Sequence, residues 1–433
     1  MLGGIEGGAA TDMGVMTRRG VLAGGTAALL SACARGRRGR QGGGRLTWWG
    51  MGNTGENAPV LLPSFERATG IGVDVQSIPW TGAHEKLLTG FAGDSLPDVA
   101  LINTAWLPEL SLIGALAPPP SDPSLYGDQF AGALGSVTVG GRPVAVPWTA
   151  DSWIQYYRRD LLREVGYPAP PADWDDWRRM AAAMKRRHPD RYVTLHLLDW
   201  PEPLFTFAAQ QPEPLLRDQL GRGNFSSPGF RAALGFYKEI YDRGWSPAVT
   251  GGEAGDTFIS LANAYFAILP ADAGAVGDLS RRTDTIPRAN WACVRTPGPH
   301  GPATAMARGT SLAVTRNARD PARAWQLVRY LCSADLQRRL WRVTGDLPTR
   351  PSAWAMHGLT DDPVSAVFAD QIAHSVPPPP VPEWERIMTD AQVVAEHMVR
   401  GEFSVDAAAR EMDRRTDRIL EKRRWLLSKG RIA

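Results

Sequence analysis

A chain of 433 residues is too long for one ordinary core and predicts two large lobes. Its 48 Lys+Arg against 45 Asp+Glu leave it close to neutral, with no basic stripe of the kind that binds nucleic acid. Three cysteines and seven histidines, without HExxH or any other ligand spacing, argue against a disulfide framework and a metal site, and no cofactor is expected.

From Met16 the chain reads MTRRGVLAGGTAALLSAC, with Arg18 and Arg19 ahead of a short apolar stretch, Val21 to Leu30. That stretch falls well short of the roughly 20 residues that span a bilayer, so it reads as an export signal. Leu30-Ser31-Ala32-Cys33 resembles the bacterial lipobox, and Thr17 to Leu22 resembles a twin-arginine signal. Residues 1–33 are therefore expected to be signal peptide and lipobox, with Cys33 lipidated. Residues 34–44 (ARGRRGRQGGG) are expected to be a flexible tether.

The mature chain opens with the strand RLTWW (45–49) and the Gly-rich loop GMGNTGENA, and a helix then ends at Gly70. IGVDVQSIPW (71–80) alternates as a strand, a helix carries Leu87, Leu88 and Phe91, and Pro97 to Ile102 reads as a buried strand. Gly140-Gly141 marks a hairpin between SVTV and RPVAVPW. Strands separated by helices predict crossover units and a mainly parallel sheet. The pattern restarts with the strand SWIQYYR and a helix capped by Asp173, whose Trp174, Trp177, Met180 and Met184 form an apolar stripe. Ser227-Pro228, Asp320-Pro321, Ser333 and Ser404 each start a helix. ANAYFAIL (262–269) and TSLAVT (310–315) read as strands, and PPPPVP (377–382) as a rigid loop. Most of the sixteen tryptophans belong to cores, but those in loops offer flat faces suited to sugar rings.

Seven segments in order, FERATGI (65–71), GDSLPDV (93–99), VPWTAD (146–151), YYRRDL (156–161), PPADWD (170–175), GTSLAV (309–314) and TGDLPTR (344–350), carry a resemblance. The chain resembles the extracellular solute-binding proteins of carbohydrate ABC importers, the family that includes maltose-binding protein. The resemblance implies an α/β, two-lobed periplasmic-binding-protein-like fold, each lobe a mainly parallel sheet flanked by helices, with a hinge between them. By analogy the N-lobe is 45–147 plus 298–343 and the C-lobe 148–297 plus 344–433. It further implies a monomer, not an enzyme, that closes on a small-molecule carbohydrate and delivers it to the permease subunits. Its location would be the outer face of the cytoplasmic membrane, held there by lipid.

The same resemblance suggests the contacts. Trp49 and Asn53 follow the first strand, although Trp48 and Trp49 alternate across the sheet and one is expected to be buried. Trp106 follows the third strand, and Asp151 sits at the first hinge crossing, where a carboxylate accepts sugar hydroxyls. Trp200 and Glu202 lie in LLDWPEPLF (197–205), Arg308 and Gly309 precede a strand, and Trp384 follows the proline run. Asp272 stands where family members often carry Gly-Pro-Trp, which favours a small polar or amine-bearing sugar over a long stacked oligosaccharide. Arg308 and Arg350 leave room for another ligand, such as a glycerophosphodiester, polyamine or peptide fragment. Asp151 and Glu202 as paired carboxylates would suit an exported glycosidase, the more distant reading. Whether Cys293 and Cys332 pair is open at this level.

Overall fold

The computed structural model describes residues 44–356 and 358–432; the export signal, Cys33 and tether residues 34–43 lie outside the described residues. The first strand, β1 (Leu46–Met51), alternates its side chains: Trp48 is fully buried, edge-on to Trp148 at 5.6 Å, and Trp49 faces the other way. The Gly-rich segment that follows is not the expected loop. It folds at once into α1 (Gly52–Asn57), laid back on the strand so closely that a Cβ on Gly50 would stand 2.5 Å from the Cα of Gly55. Only glycine permits that approach.

In chain order come β2 (Val73–Ile78), α2 (Trp80–Ala92), β3 (Val99–Asn103), β4 (Val146–Asp151) and β5 (Ile154–Arg158). Next are α3 (Trp174–Arg187), α4 (Glu202–Ala208), α5 (Pro228–Asp242), β6 (Ile268–Ala271), β7 (Trp291–Val294) and β8 (Arg308–Val314). The chain continues with α6 (Pro321–Leu331), α7 (Ala334–Thr344), β9 (Leu347–Pro348), α8 (Pro363–Ala373), α9 (Trp384–Val399) and α10 (Val405–Ile419). Side chains of Asp173, Ser227, Asp320 and Ser404 accept backbone N–H groups at the starts of α3, α5, α6 and α10, which satisfies donors a helix start leaves unpaired. The α3 stripe Trp174, Trp177, Met180 and Met184 is buried.

Among the described residues the two largest sheets, with four two-stranded ladders beside them, make the two lobes of an α/β fold. One has the order β9-β4-β8-β3-β1-β2, the other β6-β5-β7. β1 pairs in parallel with β2 and β3, as helical crossovers dictate, while β8 runs antiparallel to β3 and β4, and β9 antiparallel to β4. The second sheet departs from the parallel expectation altogether, since β6 and β7 both run antiparallel to β5. A long helical excursion separates β5 from β6, and it lets the chain return from either end of the sheet. ANAYFAIL is likewise only partly strand: a helix, Thr257–Ala262, capped by Asp256 takes its start, and β6 begins at Ile268.

The second sheet is covered on both faces. Tyr157, Ile268 and Ala292 enter one apolar core with α3, α5, α9 and α10, while Tyr156, Leu269, Trp291 and Cys293 enter another with α8. That is the period of two at work, and it explains why β5 is buried at every residue. Cys332 lies in the core of the first sheet and Cys293 in that of the second, so the two thiols are free; burial pushes each up to about 12.

Candidate ligand-binding cleft

β4 stays in the first sheet as far as Asp151, and the chain crosses to β5 through Ser152 and Trp153 alone. Beside this crossing lies a cavity of about 910 Å³, within the range of small-molecule sites. Strand ends of the first sheet supply Asn103, Thr149, Asp151, Arg308 and Gly309, and α1 adds Asn53. The start of α4, the turn after β6 and the start of α9 supply Glu202, Phe205, Asp272, Trp384 and Glu385.

The polar groups are tightly arranged. Asp151 and Arg308 are cross-strand partners at the ends of β4 and β8. Asp151 Oδ1 accepts from the N–H of Ser152 at 2.9 Å and of Ala273 at 3.2 Å, tying the first sheet to the turn after β6. Burial, reinforced by the neighbouring Asp272 charge and opposed by Arg308, pushes Asp151 up to about 7. Arg308 Nη1 lies 3.5 Å from Glu202 Oε1 with no well-formed hydrogen bond, and its guanidinium is 6.0 Å from the Trp153 ring. Burial works against the Arg308 charge, but Asp151, Glu202, Asp272 and Glu385 outweigh it and raise its pKa. Gly309 has φ +144°, and a Cβ there would meet the Thr149 carbonyl oxygen at 2.0 Å, so only glycine lets β8 pass β4 at the cavity edge.

Of the residues expected from sequence, Asn53, Asp151, Glu202, Asp272, Arg308, Gly309 and Trp384 line the cavity, and Trp49, Trp106, Trp200 and Arg350 do not. Trp49 faces α2, where Lys86 Nζ lies 4.8 Å from its ring and Gly90 leaves room for it. Trp106 is 8% exposed and stacked on His84 at 4.9 Å behind the partly exposed Trp80, so it packs in the first lobe and does not line the cavity. Trp200 stands edge-on behind Trp153 at 5.5 Å. Arg350 is buried among backbone carbonyls, donating to Cys332 at 2.5 Å and Ser124 at 2.6 Å, so it is a structural tie with no free donor face toward the cleft.

Sequence reasoning missed Trp80, Trp153 and Glu385. Each had a positional signal: Trp80 ends a strand segment, Trp153 sits two residues beyond Asp151, and Glu385 adjoins Trp384. Trp153 is the most informative, since it lines the cavity, is 6% exposed and holds an indole N–H without a partner. Among the described residues no group of His, Cys, Asp or Glu has the arrangement to hold a metal ion, and no helix is long and apolar enough to cross a membrane.

Residues 61–366 match the family of bacterial extracellular solute-binding proteins. The solved sugar-binding protein MalE of Xanthomonas citri is 38% identical, with a TM-score of 0.86 over 89% of this chain and 99% of that one. The diacetylchitobiose binding protein DasA of Streptomyces coelicolor is 20% identical over 84% of this chain and 88% of its own. An ABC transporter-binding protein of Deinococcus radiodurans is 28% identical over 48% of this chain and 52% of its own.

Proposed function

The chain belongs to the bacterial extracellular solute-binding proteins, an exported family of ABC importers, and on that premise we propose that it captures a sugar in this cleft and delivers it to importer permeases. The observation that carries the reading is the lining itself, in which the accessible rings of Trp80 and Trp341, with the largely buried Trp153, stand beside carboxylates at the ends of β4 and β6. A sugar ring offers an apolar face and a rim of hydroxyls, and it needs both kinds of partner. The X. citri relative is a sugar-binding protein, which supports the same reading. A glycerophosphodiester is a poor match, because Arg308 is surrounded by acids and Arg350 is consumed by carbonyls.

We take the lobes as 45–147 plus 298–343 and 148–297 plus 344–433, with the end of β4 and all of β9 reaching back into the first sheet, and hinge closure brings the α4 and α9 starts onto the strand ends. The protein acts as a monomeric binder and not as an enzyme, anchored outside the cytoplasmic membrane through an acylated Cys33. Calorimetric titration with neutral and amino mono- and disaccharides tests the reading. Binding of at least one is expected; silence across the panel overturns it. Cys33→Ala is expected to move the protein from the membrane to the soluble fraction, and unchanged detergent partitioning refutes the anchor.

A further inference from the structure

Building on the sugar reading, we propose that the ligand is an amino sugar, whose ammonium sits among Asp151, Asp272, Glu202 and Glu385. The cavity is lined by six carboxylates, Asp151, Glu202, Asp272, Asp346, Asp362 and Glu385. Two of these already accept hydroxyls of the protein itself, whereas Asp151 and Asp272 accept only backbone N–H groups. Asp346 Oδ2 accepts the hydroxyls of Thr54 at 2.7 Å and Thr344 at 2.8 Å, and Asp362 caps α8 through Ser365 at 2.8 Å. On the positive side, Arg281 is paired with Asp278 at 2.6 Å, and no lysine lines the cavity. Of the remaining four, Asp151 is the cross-strand partner of Arg308, Glu202 lies 3.5 Å from its guanidinium, and the charges of Asp272 and Glu385 also act on that one cation.

A neutral sugar brings only hydroxyl dipoles to such a cluster. In a cleft that closes and sheds water, ionised carboxylates without a countercharge are costly, and an ammonium supplies both the charge and strong charge-assisted hydrogen bonds. In its absence the pair Asp151–Asp272 responds as such pairs do, with Asp151 retaining its proton into the neutral range. A second observation points to a sugar and not to a bare polyamine. The indole N–H of the deeply buried Trp153 has no partner, and Nη1 of Arg308 makes no hydrogen bond beyond its loose ion pair with Glu202. A polyamine has no acceptor to give them, whereas sugar hydroxyls and ring oxygens do.

Matched pairs test this at pH 7 by calorimetry: D-glucosamine against D-glucose, and the chitosan disaccharide against cellobiose, with maltose as a further neutral sugar. The amino member of at least one pair is expected to bind at least tenfold more tightly. That preference should shrink at least fivefold in Asp272→Asn, which is partly exposed and should fold normally, and in Asp151→Asn. It should persist in Asp173→Asn, at the start of α3 outside the cavity. Neutral sugars binding as tightly as their amino partners, or maltose binding where no amino sugar does, overturns this inference and leaves the sugar reading standing. If none of these sugars and no member of the wider panel binds, both fall together.

Discussion

The two walls of the cleft are built on different principles. The wall from the first sheet consists of strand ends and α1, and most of its polar atoms are already bonded within the protein. Thr149 and Thr310 share a hydroxyl hydrogen bond of 2.7 Å, Asn103 accepts from the N–H of Ala105, and Asp151 accepts two backbone N–H groups. The opposite wall is made of helix starts, and its rings are the inner ends of core clusters: Trp384 is 2% exposed and stands edge-on to Phe205 at 5.4 Å. Hydrogen-bonding chemistry thus comes from strand ends, whose backbone geometry fixes where a carboxylate points. Apolar faces come from helices, whose packing fixes how a ring lies. A change on the ring wall should therefore register mainly as stability, and one on the strand-end wall mainly as affinity.

The sharpest way to break that contrast is Trp384→Ala. Removing a fully packed aromatic from a core costs about 3–5 kcal/mol, so urea unfolding should show a loss of that size. A variant that unfolds like the parent but no longer binds would make the ring a pure contact and erase the distinction. On the other wall, Asp151→Asn should keep the fold and weaken sugar binding by about 1.5–3 kcal/mol, roughly ten- to more than a hundredfold, by calorimetric titration.

The same variant carries a pH signature. Because the folded-state value of about 7 lies above the ordinary 3.8, Asp151 favours folding most below pH 4 and loses that contribution as pH rises through 7. The melting temperature of the unliganded parent should therefore fall more between pH 5 and pH 8 than that of Asp151→Asn. Equal slopes would mean the carboxylate is not held in its neutral form. The smallest effect is expected from Asp173→Ala, which removes the cap accepting from the Asp176 N–H. It should cost about 1 kcal/mol of stability with affinity unchanged, and altered affinity would show that α3 is coupled to the cleft.

Sequence patterning exposed much of this because caps and strand period are local properties. Asp173, Ser227 and Asp320 cap their helices as their residue types dictate, while Asp151 and Arg308 were placed by the resemblance to the family and stand at paired strand ends. Trp49 and Trp200 were harder, because a strand's parity does not say which face a helix covers, and a loop tryptophan can stand behind another. Trp106 illustrates an intermediate case, one ring behind Trp80, which lines the cavity Trp106 was expected to line. Strand direction in the second sheet was not legible either. The order of strands and helices along the chain does not determine from which end a long connection returns.

The two cysteines have a consequence for how the protein survives its change of compartment. With each thiol pushed up to about 12 by burial, roughly one in ten thousand is thiolate at pH 8, and the thiolate is the reactive form. Held in separate cores, Cys293 and Cys332 have neither a partner to oxidise with nor an exposed nucleophile for a stray disulfide to capture. Residues 44–432 thus reach the same covalent structure in a reducing cytoplasm or an oxidising exterior, so their maturation requires no disulfide-forming machinery.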